Sequence, residues 1–198
     1  MDAIFQPPSP HHRRPRPWLL IAMLSLACFA VQSQQLRAQQ YAEYELKAAF
    51  LSKLARFTKW PAGTFKDKGT PFVIGILGND PFGGPLERKA LEQTVSGRRV
   101  VIRRGRNVTD MRGCHLIFIA KSERNRVGDL LAGIQNLAGL QGTAILTVGE
   151  TDQFTRQGGV FGFRMEDNQV RFDINSGAAE RGGLEISSLV LKLIKDNP

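Results

Sequence analysis

Apolar positions along this chain switch between two rhythms. In YAEYELKAAFLSKLARFTKW (residues 41–60), Leu46, Ala49, Phe50, Leu54 and Phe57 recur at helical spacing. That predicts an amphipathic helix, which Pro61 stops. Residues 61–70, rich in Gly, Lys and Asp, read as a loop. PFVIGILG (71–78) is then apolar with little alternation, the pattern of a short strand covered on both faces. Asp80 stands where it would cap a helix, Pro81 suits the first turn, and Leu86, Ala90 and Leu91 mark its length. GRRVVIRRGR (97–106), CHLIFIA (114–120) and TAILTVG (143–149) read as further strands. Between the last two, Val127, Leu130, Leu131, Ile134 and Ala138 mark another helix.

Strands and helices thus alternate, with enough chain between strands for crossovers. The expected class is α/β, a three-layer α/β/α sandwich with a mainly parallel sheet. The rhythm breaks at GGVFGFRMEDNQVRFDIN (158–175), which alternates, turns at Asp167-Asn168 and alternates again, so a C-terminal antiparallel β-hairpin is predicted. A turn there sets Met165 opposite Val170, Phe163 opposite Phe172 and Phe161 opposite Ile174, all on one face. The other face holds Arg164 opposite Arg171 and Gly162 opposite Asp173, with Asn175 beyond. The like-charge pair is unfavourable by up to ~1 kcal/mol, and Asp173, diagonal to Arg164, offsets part of it. Ile186, Leu189, Val190, Leu193 and Ile194 then give a last helical stripe.

The first 38 residues follow a different logic. A basic start (His11, His12, Arg13, Arg14, Arg16) precedes an apolar run from Trp18 to Val31 and then polar VQSQQLRAQQ. The run is shorter than the ~20 residues of a membrane-spanning helix and fits the middle of an export signal. Residues 1–38 are read as a signal peptide, with cleavage after Ala38, or else after Ser33 or Ala30. An acylated Cys28, twin-arginine export and an uncleaved anchor are the alternatives. Residues 39–198 form the single domain. The formal charge of +9 falls to +6 without Arg13, Arg14, Arg16, Arg37 and Asp2. That excess suits acidic protein surfaces or lipid headgroups without requiring nucleic acid. Only Cys114 of the two cysteines survives cleavage, so the domain has no internal disulfide, and Cys114 reads as a core thiol.

No set of residues names a reaction. His115 is the one histidine of the domain, and its neighbour Cys114 points to the opposite strand face, so the two do not share a metal. No Gly-x-Ser-x-Gly elbow occurs, and GILGNDPFGG lacks the Lys-Ser/Thr ending of a phosphate loop. The arginines of GRRVVIRRGR lack the interleaved aromatics of a nucleic-acid surface. Neither a cofactor nor a metal is expected.

The ordered set ELKAAFLSKLARFTKWP, FVIGILGNDPFG, CHLIFIAKSE, AILTVGETDQF, GGVFGFRMEDNQVRFDIN and GGLEISSLVLKLI resembles the YfiR/HmsC-like proteins. The resemblance spans nearly all of residues 44–195. It implies a non-catalytic periplasmic domain, often a homodimer, that restrains an inner-membrane diguanylate cyclase by binding its periplasmic region. It also implies an OmpA-like outer-membrane lipoprotein that sequesters the repressor, with cyclic-di-GMP and biofilm output as the consequence. Four cysteines forming disulfides occur in some members, whereas this domain keeps one. Partner contact is expected on Arg164, Arg171, Asp173 and Asn175 and on the following segment at Leu184 and Ile186. Asn175 alternatively caps the next helix, and Ile186 fills the core. A second reading is a small-ligand sensor for a different membrane protein. Its site would lie beyond the carboxyl ends of the strands, at Asn79, Asp80, Arg104, Lys121, Ser122, Glu150 and Thr151.

Overall fold

The computed structural model describes residues 17–167 and 169–195. The basic start (His11 to Arg16), Asn168 of the hairpin turn, and the side chains of Trp18–Val31, Leu193 and Ile194 lie outside the described residues. The chain divides into two units, Met1–Gln40 and Tyr41–Pro198. Helix α1 (Pro17–Phe57) contributes its first part to the former and its second to the latter.

The second unit is an α/β arrangement built on a mixed sheet flanked by helices. In chain order its elements are β1 (Thr58–Lys59), β2 (Phe72–Leu77), α2 (Gly84–Glu92), β3 (Thr94–Val95), β4 (Arg98–Gly105), β5 (Leu116–Ile119), α3 (Val127–Gln141), β6 (Leu146–Gly149), β7 (Phe161–Glu166), β8 (Gln169–Ile174), α4 (Ser176–Arg181), β9 (Glu185–Ile186) and α5 (Ser188–Lys195). Seven strands form one sheet in the order β3-β4-β2-β5-β6-β7-β8. Pairing is parallel from β4 across to β7 and antiparallel at both margins, β3 with β4 and β7 with β8. The hairpin therefore completes an edge of the main sheet. A short pair that periodicity does not announce, β1 with β9, ties the end of α1 to the segment before α5.

Two apolar layers hold the sheet. Phe72, Ile74, Ile76, Leu116, Phe118, Leu146 and Val148 join Leu51 and Leu54 of α1 and Leu86 of α2 on one face. Val73, Leu77, Ile117 and Ile119 join Leu130, Leu131 and Ile134 of α3 on the other. This double burial is why the central strands read as continuous apolar runs. The hairpin differs. Phe161, Phe163, Val170 and Phe172 enter the first layer, and Phe50 stacks on Phe172 with ring centroids 3.7 Å apart. No residue of β7 or β8 belongs to the second layer.

Three details correct the sequence reading. Of the expected stripe of α1, Phe50 and Leu54 are buried but Leu46 is 48% exposed, and the buried face takes in Lys47, Leu51 and Ala55 instead. Helical geometry allows both assignments, and the polar partners of Lys47 described below decide between them. Asp80 does not cap α2, which starts later, from Gly83, with Pro85 in its first turn; Asp80 Oδ1 instead accepts from the Phe82 N–H at 2.8 Å. Leu91 points outward at 87% exposure. In addition, Ile186 lies in β9, ahead of the helix whose stripe it was expected to join.

The loop from β6 to β7 is wedged in place by Phe154. A Cβ at Gly149 or at Gly159 would overlap the Phe154 ring. Both positions therefore need glycine for close approach. Gly149→Ala is expected to cost about 1–3 kcal/mol through overpacking. Gly139→Ala, where an added methyl meets nothing within 4 Å on α3, is expected to gain about 0.5–1 kcal/mol. Urea midpoints of the two variants check the contrast.

Candidate functional site

The hairpin presents a polar face with charged side chains of both signs. Its register sets Phe161 against Ile174, Gly162 against Asp173, Phe163 against Phe172, Arg164 against Arg171 and Met165 against Val170. Alternation follows, with one difference: the apolar face thins toward the tip, where Met165 is 42% exposed. On the other face Arg164 meets Glu166 at 2.6 Å and Asp173 at 3.5 Å. Two carboxylates thus offset the opposed arginines. The Arg171 Nε is buried without a hydrogen-bond partner.

The Thr151–Arg156 segment rises beside this face and encloses a cleft of about 530 Å³ with Gly162, Arg164 and Asp173. Gly162 leaves the floor without a side chain. Thr151 is buried, and its hydroxyl has no hydrogen-bond partner. Asn175 joins the two walls: its Nδ2 donates to the Thr155 carbonyl at 2.8 Å, and its Oδ1 accepts from the Ala178 N–H at 2.9 Å, capping α4. Leu184 is 2% exposed and packs in the first apolar layer, with Ile186 partly buried against it. Of the residues expected at a partner surface, Arg164 and Asp173 line the cleft, Arg171 sits on the same hairpin face, Asn175 braces it, and Leu184 is interior.

The strand-end residues form three sets of contacts that adjoin through neighbouring residues. Arg104 donates to Asp80 at 2.7 Å and pairs with Glu87 of α2. The Asn79 N–H donates to Ser122 Oγ at 3.0 Å. Glu150 lies under α1 and reaches the second set through Lys121, the neighbour of Ser122. Its Oε1 accepts from the Lys121 N–H at 3.1 Å, and its Oε2 accepts from Lys47 Nζ at 2.7 Å and from the Tyr44 hydroxyl at 3.0 Å. Lys47 also pairs with Glu43 and lies 4.6 Å from the centre of the Tyr44 ring. Both Lys47 and Glu150 side chains are 3% exposed. Burial, with the Glu150 carboxylate beside it, pushes the Tyr44 hydroxyl pKa well above its ordinary value. A larger cavity of about 670 Å³ lies between α3 and α4, with Gln135, Thr143, Gln157 and Arg181 among its polar lining.

The sequence reading missed Lys47, Tyr44, Glu43 and the wedge Phe154. A signal existed for the first: residue 47 shares a helical face with Leu51, Leu54 and Ala55, and a lysine there demands a buried carboxylate. Cys114 is a buried free thiol, pushed up to about 11 by desolvation. His115 is buried between Phe65 and Phe72, and its Nδ1 accepts from the Val73 N–H at 3.1 Å. Burial, reinforced by Arg98 and Arg103, lowers its pKa to about 4. No group of three or more His, Cys, Asp or Glu that could hold a metal occurs among the described residues. No described helix is long and apolar enough to cross a membrane.

The profile of the YfiR/HmsC-like family matches residues 44–195. No curated protein matches the chain. Among solved structures, a conserved domain protein from Vibrio cholerae O1 biovar El Tor is similar at 15% identity and a TM-score of 0.45. The match covers 75% of this chain and 58% of that one, too loose a likeness to carry fold or function across.

Two outcomes test the site's buried charges. Lys47→Met leaves the Glu150 carboxylate under α1 without its cation, and is expected to cost about 3–5 kcal/mol in urea unfolding; the double variant K47M/E150Q should recover most of it. For His115 the folded pKa is depressed, so below pH 6.5 the unfolded chain binds the proton first. Stability therefore falls as pH drops from 6.5 toward about 4. His115→Gln keeps an acceptor for Val73 and should flatten that slope in urea midpoints measured across pH.

Proposed function

The chain belongs to the YfiR/HmsC-like family, and from that premise we propose an exported protein that represses an inner-membrane signalling protein by binding its periplasmic region. As a member of this non-catalytic regulatory family the protein is not an enzyme. The partner we assign is a diguanylate cyclase, so that binding lowers cyclic-di-GMP and biofilm output. An OmpA-like outer-membrane lipoprotein is the natural competitor that would sequester the repressor, and a homodimer is the working unit. Residues 1–38 serve as the export signal that places the domain in the periplasm.

One observation carries the choice of surface. The outer face of the hairpin, like that of β4, is a margin whose strands contribute nothing to the second apolar layer, and here it bears a cleft walled by charged side chains of both signs. Such a face suits complementary recognition of a protein surface. Inhibition requires only that the repressor bind one conformation of the sensor better than the other.

The cavity between α3 and α4 supports the second reading, a small-ligand sensor. A ligand at one hundred times its dissociation constant would stabilise the protein by about 2.7 kcal/mol, visible in a thermal-shift screen of amino acids and nucleotides. A screen without a shift weakens that reading.

Arg171→Glu tests the first. It removes the like-charge pair with Arg164, so folding is expected to persist. Cyclic-di-GMP in cells should rise toward the level of the deletion strain, and crosslinking in intact periplasm should lose the membrane partner. Unchanged repression by a normally folded variant removes this face from the proposal.

A further inference from the structure

The wall of the hairpin cleft is held at three points. Phe154 is wedged over Gly149 and Gly159. Asn175 Nδ2 holds the Thr155 carbonyl at 2.8 Å. Glu150, one residue before the wall begins, is held by Lys47 at 2.7 Å and Tyr44 at 3.0 Å, and by the Lys121 N–H at 3.1 Å beyond the end of β5. The first two ties join the wall to its own sheet. The third alone joins it to α1, and it is ionic and buried, with both side chains 3% exposed.

A buried pair of this kind has two discrete states. Closed, the lysine and carboxylate satisfy each other. Opened, the Glu150 carboxylate would keep only the Tyr44 hydroxyl and the Lys121 N–H in place of its cation, so partial release is disfavoured. Lys47 has a second carboxylate in Glu43, on its own helix one turn earlier. Lys47 can therefore release Glu150 and remain paired, which makes the tie to the wall the one that yields. The outward side of the same helix is open to contact: Leu46 is exposed, as are Lys53 and Arg56.

We infer that the Lys47–Glu150 pair is a latch that makes α1 and the Thr151–Arg156 wall move together, so that the position of α1 sets the shape of the hairpin cleft. The inference rests on the reading of that cleft as the partner surface.

Hydrogen exchange on the full-length protein tests it. The wall has its own reporters, because the amides of Phe154, Gln157, Gly158 and Gly159 donate within the loop. Glu150→Gln, which leaves Lys47 with Glu43, should speed exchange at these amides by ~10-fold or more over any change at β2 and β5, and Lys47→Met should show the same excess at the loop above the general acceleration that its lower global stability brings. The double variant should exchange no faster than the faster single one, the signature of two residues acting through one contact. Faster exchange spread evenly over β2, β5 and the loop would show a purely structural pair and overturn the latch. So would additive effects, or none. The cellular assay of Arg171→Glu separates the two ideas: a coupled loop with indifferent repression removes the cleft reading alone, whereas repression sensitive to Arg171 with an uncoupled loop removes the latch alone.

Discussion

Burial of both faces of the central strands is the constraint from which the rest follows. A strand covered above and below has no place for a charged side chain except at its ends. β2 and β5 obey this without exception, every residue of each being buried. Polar chemistry is therefore driven to the strand ends and to the margins of the sheet, where one of the two covering layers stops. At β4 the margin is marked by arginines, and Arg98 folds over Phe65 and donates to the Thr70 carbonyl at 2.9 Å. At β7 and β8 the missing layer leaves the cleft face. The two margins differ in what they do with charge. The β4 side ties much of its charge into loops and α2, while the hairpin side keeps acids and arginines mixed on one open surface.

This explains which parts of the sequence could be read. Alternation in residues 158–175 fixes both register and facing, because a one-residue slip would turn Phe161, Phe163 and Phe172 out of the core. The continuous runs at 71–78 and 114–120 fix strands but not their neighbours: nothing local tells β2 that it will lie between β4 and β5. That order is a product of crossovers and of which helix covers which face. Short pairings such as β1 with β9 are invisible for a related reason. Two residues carry no period, and Thr58 and Ile186 meet only once the sheet has brought α1 and the C-terminal segment together.

The hairpin face was legible in its register and incomplete in its neighbours. Arg164, Arg171 and Asp173 follow from the hairpin register alone, and the structure sets Arg164 and Asp173 on the cleft. Asn175 shows how one residue type admits two roles: it caps α4 through one amide atom and braces the cleft wall with the other. The strand-end set grouped residues by topology, but side-chain reach divides them. Arg104 turns to Asp80 and Glu87, while Glu150 turns beneath α1.

Lys47 is the sharper lesson, because a rule for reading helices concealed it. Counting apolar residues favours the face with Leu46, and a lysine next to it reads as the start of the wet side. The energetic question is different. A face is buried when its polar members find partners there, and Lys47 has two carboxylates and an aromatic ring within reach. An ion pair in such a place adds little stability over an apolar pair of the same volume, since desolvation consumes most of the attraction. What it adds is registry. A leucine at position 47 would be satisfied by any apolar neighbour as α1 slid or turned, whereas a lysine is satisfied only where Glu150 stands. The end of β6 and the helix are thereby matched to one relative position, and the loop that begins at Glu150 inherits it.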